Sequence, residues 1–278
     1  MSIIDTIRFR SSQRSYIAKP LSADILKQIE AVLQKCPPGP FQIDSHFQLI
    51  HKSIAADQKI KLGTYGFISG AQHFIAGKTV TGPGAMVDYG YRMEWIILQL
   101  TALGLGSCWL GGSFSRSEYA ELMNLNDNEV IPAVSPVGYP TQKRSLRDRL
   151  IRLGAGSDNR KPWSALFFED DFEHPLTPVN ADNNLTVLEM VRLAPSASNK
   201  QPWRIITMDG NYHFYLQRTP GYGRKYANID LQKVDLGIAV CHFDLTTKEM
   251  GLTGHWDNLN SDILLPANTE YILSWIHQ

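Results

Sequence analysis

An α+β fold made of two sheet-and-helix halves, related by an internal pseudo-two-fold axis, is predicted by three features of this 278-residue sequence. The first is a repeat. Val87-Asp88-Tyr89-Gly90 aligns with Val234-Asp235-Leu236-Gly237 at a shift of 147 residues, and the same shift pairs Leu98 with Leu245, Gly104-Leu105 with Gly251-Leu252, and Trp109 with Trp256. The second is an order of elements common to both halves: helix, loop, strand, long helix, strand. The third is composition, since 43% hydrophobic and 10% aromatic residues with 19% charged can bury a sizeable core. The expected division is 1–160 for the first half and 161–278 for a shorter second half, the two packed intimately as one pseudo-dimer.

Along the chain, Met1 to Arg8 has no apolar core of signal-peptide length. Arg10-Ser11-Ser12-Gln13-Arg14 follows, two arginines flanking serines, a natural clamp for an anion. Ile25, Ile29, Val32 and Leu33 mark an amphipathic helix capped by Ser22 and stopped before Pro37. Phe47-Gln48-Leu49-Ile50 reads as a strand. Tyr65 and Phe67 lie in a glycine-flanked loop that suits either the wall of a pocket over a flat ligand or the core. In each copy of the repeat a helix opens after the aspartate, Asp88 or Asp235, and stops at the Gly-Leu pair, with a tryptophan-bearing strand expected next. Residues 140 to 183 form a crossover, basic at Lys143, Arg144, Arg147, Arg149 and Arg152 and acidic from Glu169 to Glu173. Thr186 and Glu189 have capping-box spacing before the helix face Val187, Met190, Val191 and Ala194. Trp203-Arg204-Ile205-Ile206 is the strand of the second half.

The stretch richest in chemistry is Pro195-Ser196-Ala197-Ser198-Asn199-Lys200-Gln201-Pro202-Trp203. Small hydroxyl and amide residues held between prolines make a rigid loop whose backbone can approach a planar ligand closely. It and Arg10 to Arg14 read as two parts of one site, set about 180 residues apart. Twenty-seven basic residues balance twenty-seven acidic ones, so no global field steers the chain onto nucleic acid or an anionic membrane. The ligand is expected to be small. Cys36, Cys108 and Cys241 are odd in number and widely spaced, which fits three buried thiols in a reducing cytoplasm. The longest apolar run, Met93 to Leu105, is broken by Glu94 and Gln99 and is short of a membrane span. The eight histidines show no metal-ligand spacing, and no metal is assigned.

With these motifs in view the chain resembles the nitroreductase-like flavoproteins, in particular those with two fused repeats in one chain. The resemblance rests on Arg10-Ser11-Ser12-Gln13-Arg14, on Pro195 to Trp203, and on Ser107-Cys108-Trp109-Leu110-Gly111-Gly112. It implies a nitroreductase-like fold with FMN at the junction of the halves. Arg10 and Ser12 would then face the phosphate, with Ser11 beside them, and Arg14 the ring edge near N1 and O2. Ser196 and Asn199 would contact the ribityl chain and ring, and Pro195, Ala197 and Gln201 would complete that loop. Leu110, Gly111 and Gly112 would bring main chain near flavin N5, and Arg160 would be a second phosphate contact. The resemblance implies an NAD(P)H oxidoreductase that reduces nitroaromatics, quinones or other small electron-poor acceptors. NADH or NADPH is the donor, the flavin carries the chemistry, and no side chain is assigned as catalytic.

Two departures from the family pattern make the expected site single. The first half has Pro37-Pro38-Gly39-Pro40-Phe41 where a Pro-Ser-Asn loop would repeat, and residues 162 to 191 contain no Lys or Arg to repeat the arginine clamp. One FMN per chain and a monomer follow as expectations. The alternative function is a flavin carrier or sensor without turnover.

Overall fold

The computed structural model describes residues 1–52, 64–141, 159–181, 184–222, 228–259 and 263–278. Two long helices cross at its centre, α3 (Ala85–Ala102) and α6 (Leu231–Glu249), and both are buried on nearly every side. A helix apolar all round belongs in a core, and here each is covered by the other and by its own sheet. In the first sheet β1 (Ser45–His51), β2 (His73–Val80), β5 (Val134–Gly138) and β3 (Gly106–Ser107) run in that order, with β4 (Glu129–Val130) also on β2. In the second the order is β6 (Phe167–Glu169), β7 (Trp203–Met208), β8 (Asn211–Gln217), β10 (Thr269–His277) and β9 (Gly254–Asp257). Only β6 and β7 pair in parallel among these strands.

Alternation along the strands sorts side chains to two faces. Phe47 and Ile75 meet α3 and α2 (Ala23–Gln34), while Ile50, Phe74 and Ala76 meet Tyr119 of α4 (Arg116–Leu122). In the second sheet Trp203, Ile205 and Phe214 pack on α6 and α5 (Leu185–Arg192), and Ile206 and Tyr215 form a small cluster with Phe168 on the other face.

The repeat is visible as geometry. A Cβ on Gly90 would stand 2.1 Å from the carbonyl oxygen of Val234, and one on Gly237 would stand 2.0 Å from that of Val87. These two contacts exchange under the 147-residue shift, as contacts across a two-fold interface do. Both helices also end alike. Gly104 and Gly251 take φ of 77° and 72°, and the amides of Leu105 and Leu252 bond back to the carbonyls of Leu100 and Thr247 at 3.0 and 2.9 Å. That is the glycine-terminated closure the Gly-Leu pairs predicted.

Several expectations are corrected. The long helices open about a turn before Asp88 and Asp235, and these aspartates, buried inside the helices, each hold a loop. Asp88 accepts from the amides of Phe41 (3.0 Å) and Ile43 (2.7 Å), and Asp235 accepts from that of Ala197 (2.9 Å). The Thr186–Glu189 capping box does not form: Glu189 is taken by Trp163 and Arg192, and Asn184 stands at the cap with its Oδ1 accepting from the Tyr212 hydroxyl rather than from the helix. Trp256 lies in β9 as expected, but β3 ends at Ser107, before Trp109. Cys108 and Cys241 are buried, whereas Cys36 is only half-buried. Tyr65 and Phe67 are 66% and 38% exposed, so neither packs in the core. The basic positions from Lys143 to Arg152 lie outside the described residues. Among the described residues, no helix is long and apolar enough to cross a membrane.

Asp88→Ala should cost about 2 kcal/mol of stability, since it removes the buried carboxylate that accepts from two amides of the Pro37–Ile43 turn. Urea unfolding reads this directly; a loss below about 1 kcal/mol would mean that the turn does not depend on the carboxylate.

Candidate functional site

A cavity of about 770 Å³ opens between the halves, a size typical of small-molecule and cofactor sites. One wall is the Arg10 to Arg14 segment. Helix α1 (Ile3–Phe9) lies across the second half, its first amides held by the carboxylate of Glu249 (Ile4 N to Oε1, 3.2 Å). The chain leaves the helix at Arg10 in an extended conformation (φ −55°, ψ 128°) and runs beside β3, with the Gln13 amide donating to the Ser107 carbonyl at 2.8 Å. Arg10, Ser11, Ser12 and Arg14 all line the cavity. The Nε and Nη1 atoms of Arg10 are buried without a hydrogen-bond partner. A buried guanidinium with open donors is costly unless an anion is brought to it.

The opposite wall is the Pro195 loop, where Pro195, Ser196, Ala197 and Asn199 line the same cavity. Ser198, Asn199 and Gln201 take left-handed φ of 49°, 54° and 47°. Such residues cost about 1–3 kcal/mol each and persist only where the surroundings hold them. The holding bonds are numerous. Gln201 is 2% exposed; its amide donates to Ser196 Oγ at 2.9 Å, its Oε1 accepts from the Lys161 amide at 2.9 Å, and its Nε2 donates to the Asn199 carbonyl at 3.1 Å. Arg204, 6% exposed, donates to the Gln201 carbonyl at 3.0 Å. Asn199 donates to the carbonyl of Asn159 at 2.7 Å. Arg160, also on the cavity wall, donates to the Leu193 carbonyl at 3.1 Å and to Asn199 Oδ1 at 3.3 Å.

Of the other expected site residues, Gly111 lines the cavity, and a Cβ there would stand 3.1 Å from Leu231 at the start of α6. Leu110 is buried behind the wall, bridged to Val134; Gly112 is exposed and Gln201 lies beneath the loop, so these three are not on the wall. Tyr65 and Phe67 are not on it either.

Two contributors were missed from sequence. Arg116 clamps the Leu110–Gly111 turn through the carbonyls of Gly111, Ile131 (3.3 Å) and Pro132 (3.1 Å). Asp235 lines the cavity, 3% exposed, with Oδ2 buried and unpartnered. Burial holds its carboxyl well above the ordinary range, the bond from Ala197 opposing. An acid raised in the folded state makes stability fall as pH climbs from the ordinary carboxylate range toward the raised value. Asp235→Asn keeps an acceptor for Ala197 and removes that titration. The variant should resist urea better than the native protein at about pH 8, with the difference closing toward about pH 4. Equal midpoints at both ends would contradict the assignment.

A central pair of crossed helices, two flanking sheets and a cavity walled by both halves define the protein as one of nitroreductase fold. The chain belongs to the nitroreductase family, its residues 2–247 matching the model described as “Putative TM nitroreductase”. Among solved structures it is similar to a “putative nitroreductase” of Thermotoga maritima, 22% identical, with a TM-score of 0.62 over 100% of this chain and 94% of that one. It also matches a nitroreductase with bound FMN from Bacteroides fragilis, 20% identical, over 52% of this chain and 92% of that one, TM-score 0.42. An FMN-dependent nitroreductase from Clostridium difficile is 17% identical over 51% and 90% of the two chains, TM-score 0.41. No curated protein matches the chain.

Proposed function

We propose that this chain is an FMN-dependent NAD(P)H oxidoreductase that reduces nitroaromatic, quinone or similar electron-poor acceptors by two-electron transfer. The halves 1–160 and 161–278 act as a fused pseudo-dimer with one FMN per chain, and the chain works as a monomer. The observation that carries this reading is the meeting of Arg10 to Arg14 with Pro195 to Asn199 on one cavity, where Arg10 has buried, open donors.

The residues present fit the group. Arg10, with Ser11 and Ser12, holds the phosphate by charge-assisted hydrogen bonds, and Arg160 adds a second positive group. Ser196, Ala197 and Asn199 present hydroxyl, amide and backbone groups to the ribityl chain and ring. Arg14 places positive charge at the ring edge, where it favours the electron-rich form. Gly111 keeps that wall free of side chain. When bound, the flavin supplies hydride chemistry with a nicotinamide donor, and the chain's task is to position and shield it.

The counterpart position is bordered by the first half's own loop. Phe41 lies against Gly84, where a Cβ would be 2.5 Å from its ring, while Leu231, at the matching position of the repeat, lines the open cavity. That loss of symmetry also suits the second reading, a flavin carrier or sensor without turnover. Purified protein should quench added FMN fluorescence and then oxidise NADH or NADPH steadily with menadione or a nitroaromatic. No quenching would end both readings, and binding without turnover across a panel of acceptors would leave the carrier.

A further inference from the structure

Between the halves, behind Arg10, lies a buried polar group that the flavin contacts do not use. Glu94 of α3 and His242 of α6 have no exposed side-chain surface, and Oε1 of the one is 3.0 Å from Nε2 of the other. The second imidazole nitrogen, Nδ1, is 2.8 Å from the carbonyl oxygen of Met190 in α5. A carbonyl oxygen only accepts, so Nδ1 carries a proton. Nε2 then faces a carboxyl oxygen at hydrogen-bond distance, and two lone pairs do not stay buried face to face, so one further proton lies between Nε2 and Oε1. The other carboxyl oxygen, Oε2, accepts from Trp109 Nε1 at 2.6 Å, which places the indole donor rather than an acceptor for a proton against it. With the shared proton on either atom, the pair has zero net charge.

That matters because the same Oε1 is 3.6 Å from Arg10 Nε, with the arginine side chain only 5% exposed. An uncompensated carboxylate there would cancel the arginine's charge in a low-dielectric site. The remaining acidic groups nearby are occupied or neutral. Asp244 is bonded to Tyr91 and Lys248, and burial holds the Cys241 thiol in its protonated form.

We propose that His242 is a positioning residue that neutralises Glu94 and so leaves the whole charge of Arg10 for an anion in the cavity. The inference rests on the reading above, in which that anion is the FMN phosphate. Riboflavin lacks the phosphate, so the ratio of FMN to riboflavin affinity isolates this interaction from flavin stacking and from general loosening of the fold. In His242→Gln the shared proton is lost, Glu94 pairs with Arg10, and the ratio should fall about tenfold. Adding Glu94→Gln to that variant removes the competing charge and should return the ratio to within about threefold of native. An unchanged ratio in His242→Gln, or a double variant no better than the single one, overturns the proposal.

The native protein gives a test that needs no variant to fold. Nitrogen-15 NMR of the His242 ring should show a proton on Nδ1, and a neutral ring protonated only at Nε2 overturns the proposal. Native protein that binds neither flavin would overturn the flavin reading instead, and the ring tautomer would still decide whether the pair is neutral.

Discussion

Arg10→Ala should weaken FMN binding about 100-fold, close to 2.8 kcal/mol, while riboflavin affinity changes little. The size follows from the setting. Hydrogen bonds to charged groups contribute about 1.5–3 kcal/mol, and two buried nitrogens of the guanidinium have no hydrogen-bond partner in the protein. Asn199→Ala, in the other half of the chain, should weaken FMN binding about tenfold by a different route. It removes the side chain that accepts from Arg160 and Gln201 and donates to Asn159, and so releases a loop held in left-handed conformations. Fluorescence titration with both flavins separates the two effects. Unchanged FMN affinity in both variants would end the idea of a site shared between the halves.

Gly237→Ala should cost about 3 kcal/mol, at the upper end for overpacking, because backbone must move to admit it. The new methyl would sit 2.0 Å from the Val87 carbonyl oxygen and 2.9 Å from the Tyr91 amide nitrogen, and neither belongs to a side chain that can swing away. Gly90→Ala should cost a similar amount, since its Cβ would stand 2.1 Å from the Val234 carbonyl oxygen. The two substitutions together should cost less than their sum, because the same helix crossing needs to open only once. FMN affinity should fall in parallel, as Val234, Asp235 and Ile238 on α6 line the cavity. Urea midpoints within about 1 kcal/mol of native for both variants would show that the crossing is looser than these contacts require.

The features most legible in the sequence were those written in local chemistry. Gly104 and Gly251 end their helices with the positive φ that the Gly-Leu pairs promised, and Ser22 caps α2 through the Ile25 amide at 3.3 Å. The proline-bounded loop reads as a site wall from its composition, whereas the arginine segment alone would suit a solvated helix end and reads as the matching wall only beside that loop; both line one cavity. What stayed hidden depends on partners distant in sequence. Asp88 and Asp235 look like helix starts, yet each is buried past the start and bonded to a loop some 40 residues upstream. Thr186 and Glu189 have the right spacing for a local box, and a tryptophan from the preceding segment takes the carboxylate. Glu94 registered only as a break in an apolar run. A carboxylate in the middle of an otherwise apolar helix needs a buried partner, and that was the available signal for the pair it makes with His242.

The central claim is that two unlike halves build a single cofactor site. Flavin stoichiometry tests it most directly, by titrating the flavin-free protein with FMN and following fluorescence quenching against chain concentration. The predicted end point is one FMN per chain, abolished by Arg10→Ala at concentrations that saturate the native protein. An end point of two FMN per chain, or saturable binding that survives Arg10→Ala unchanged, would contradict it.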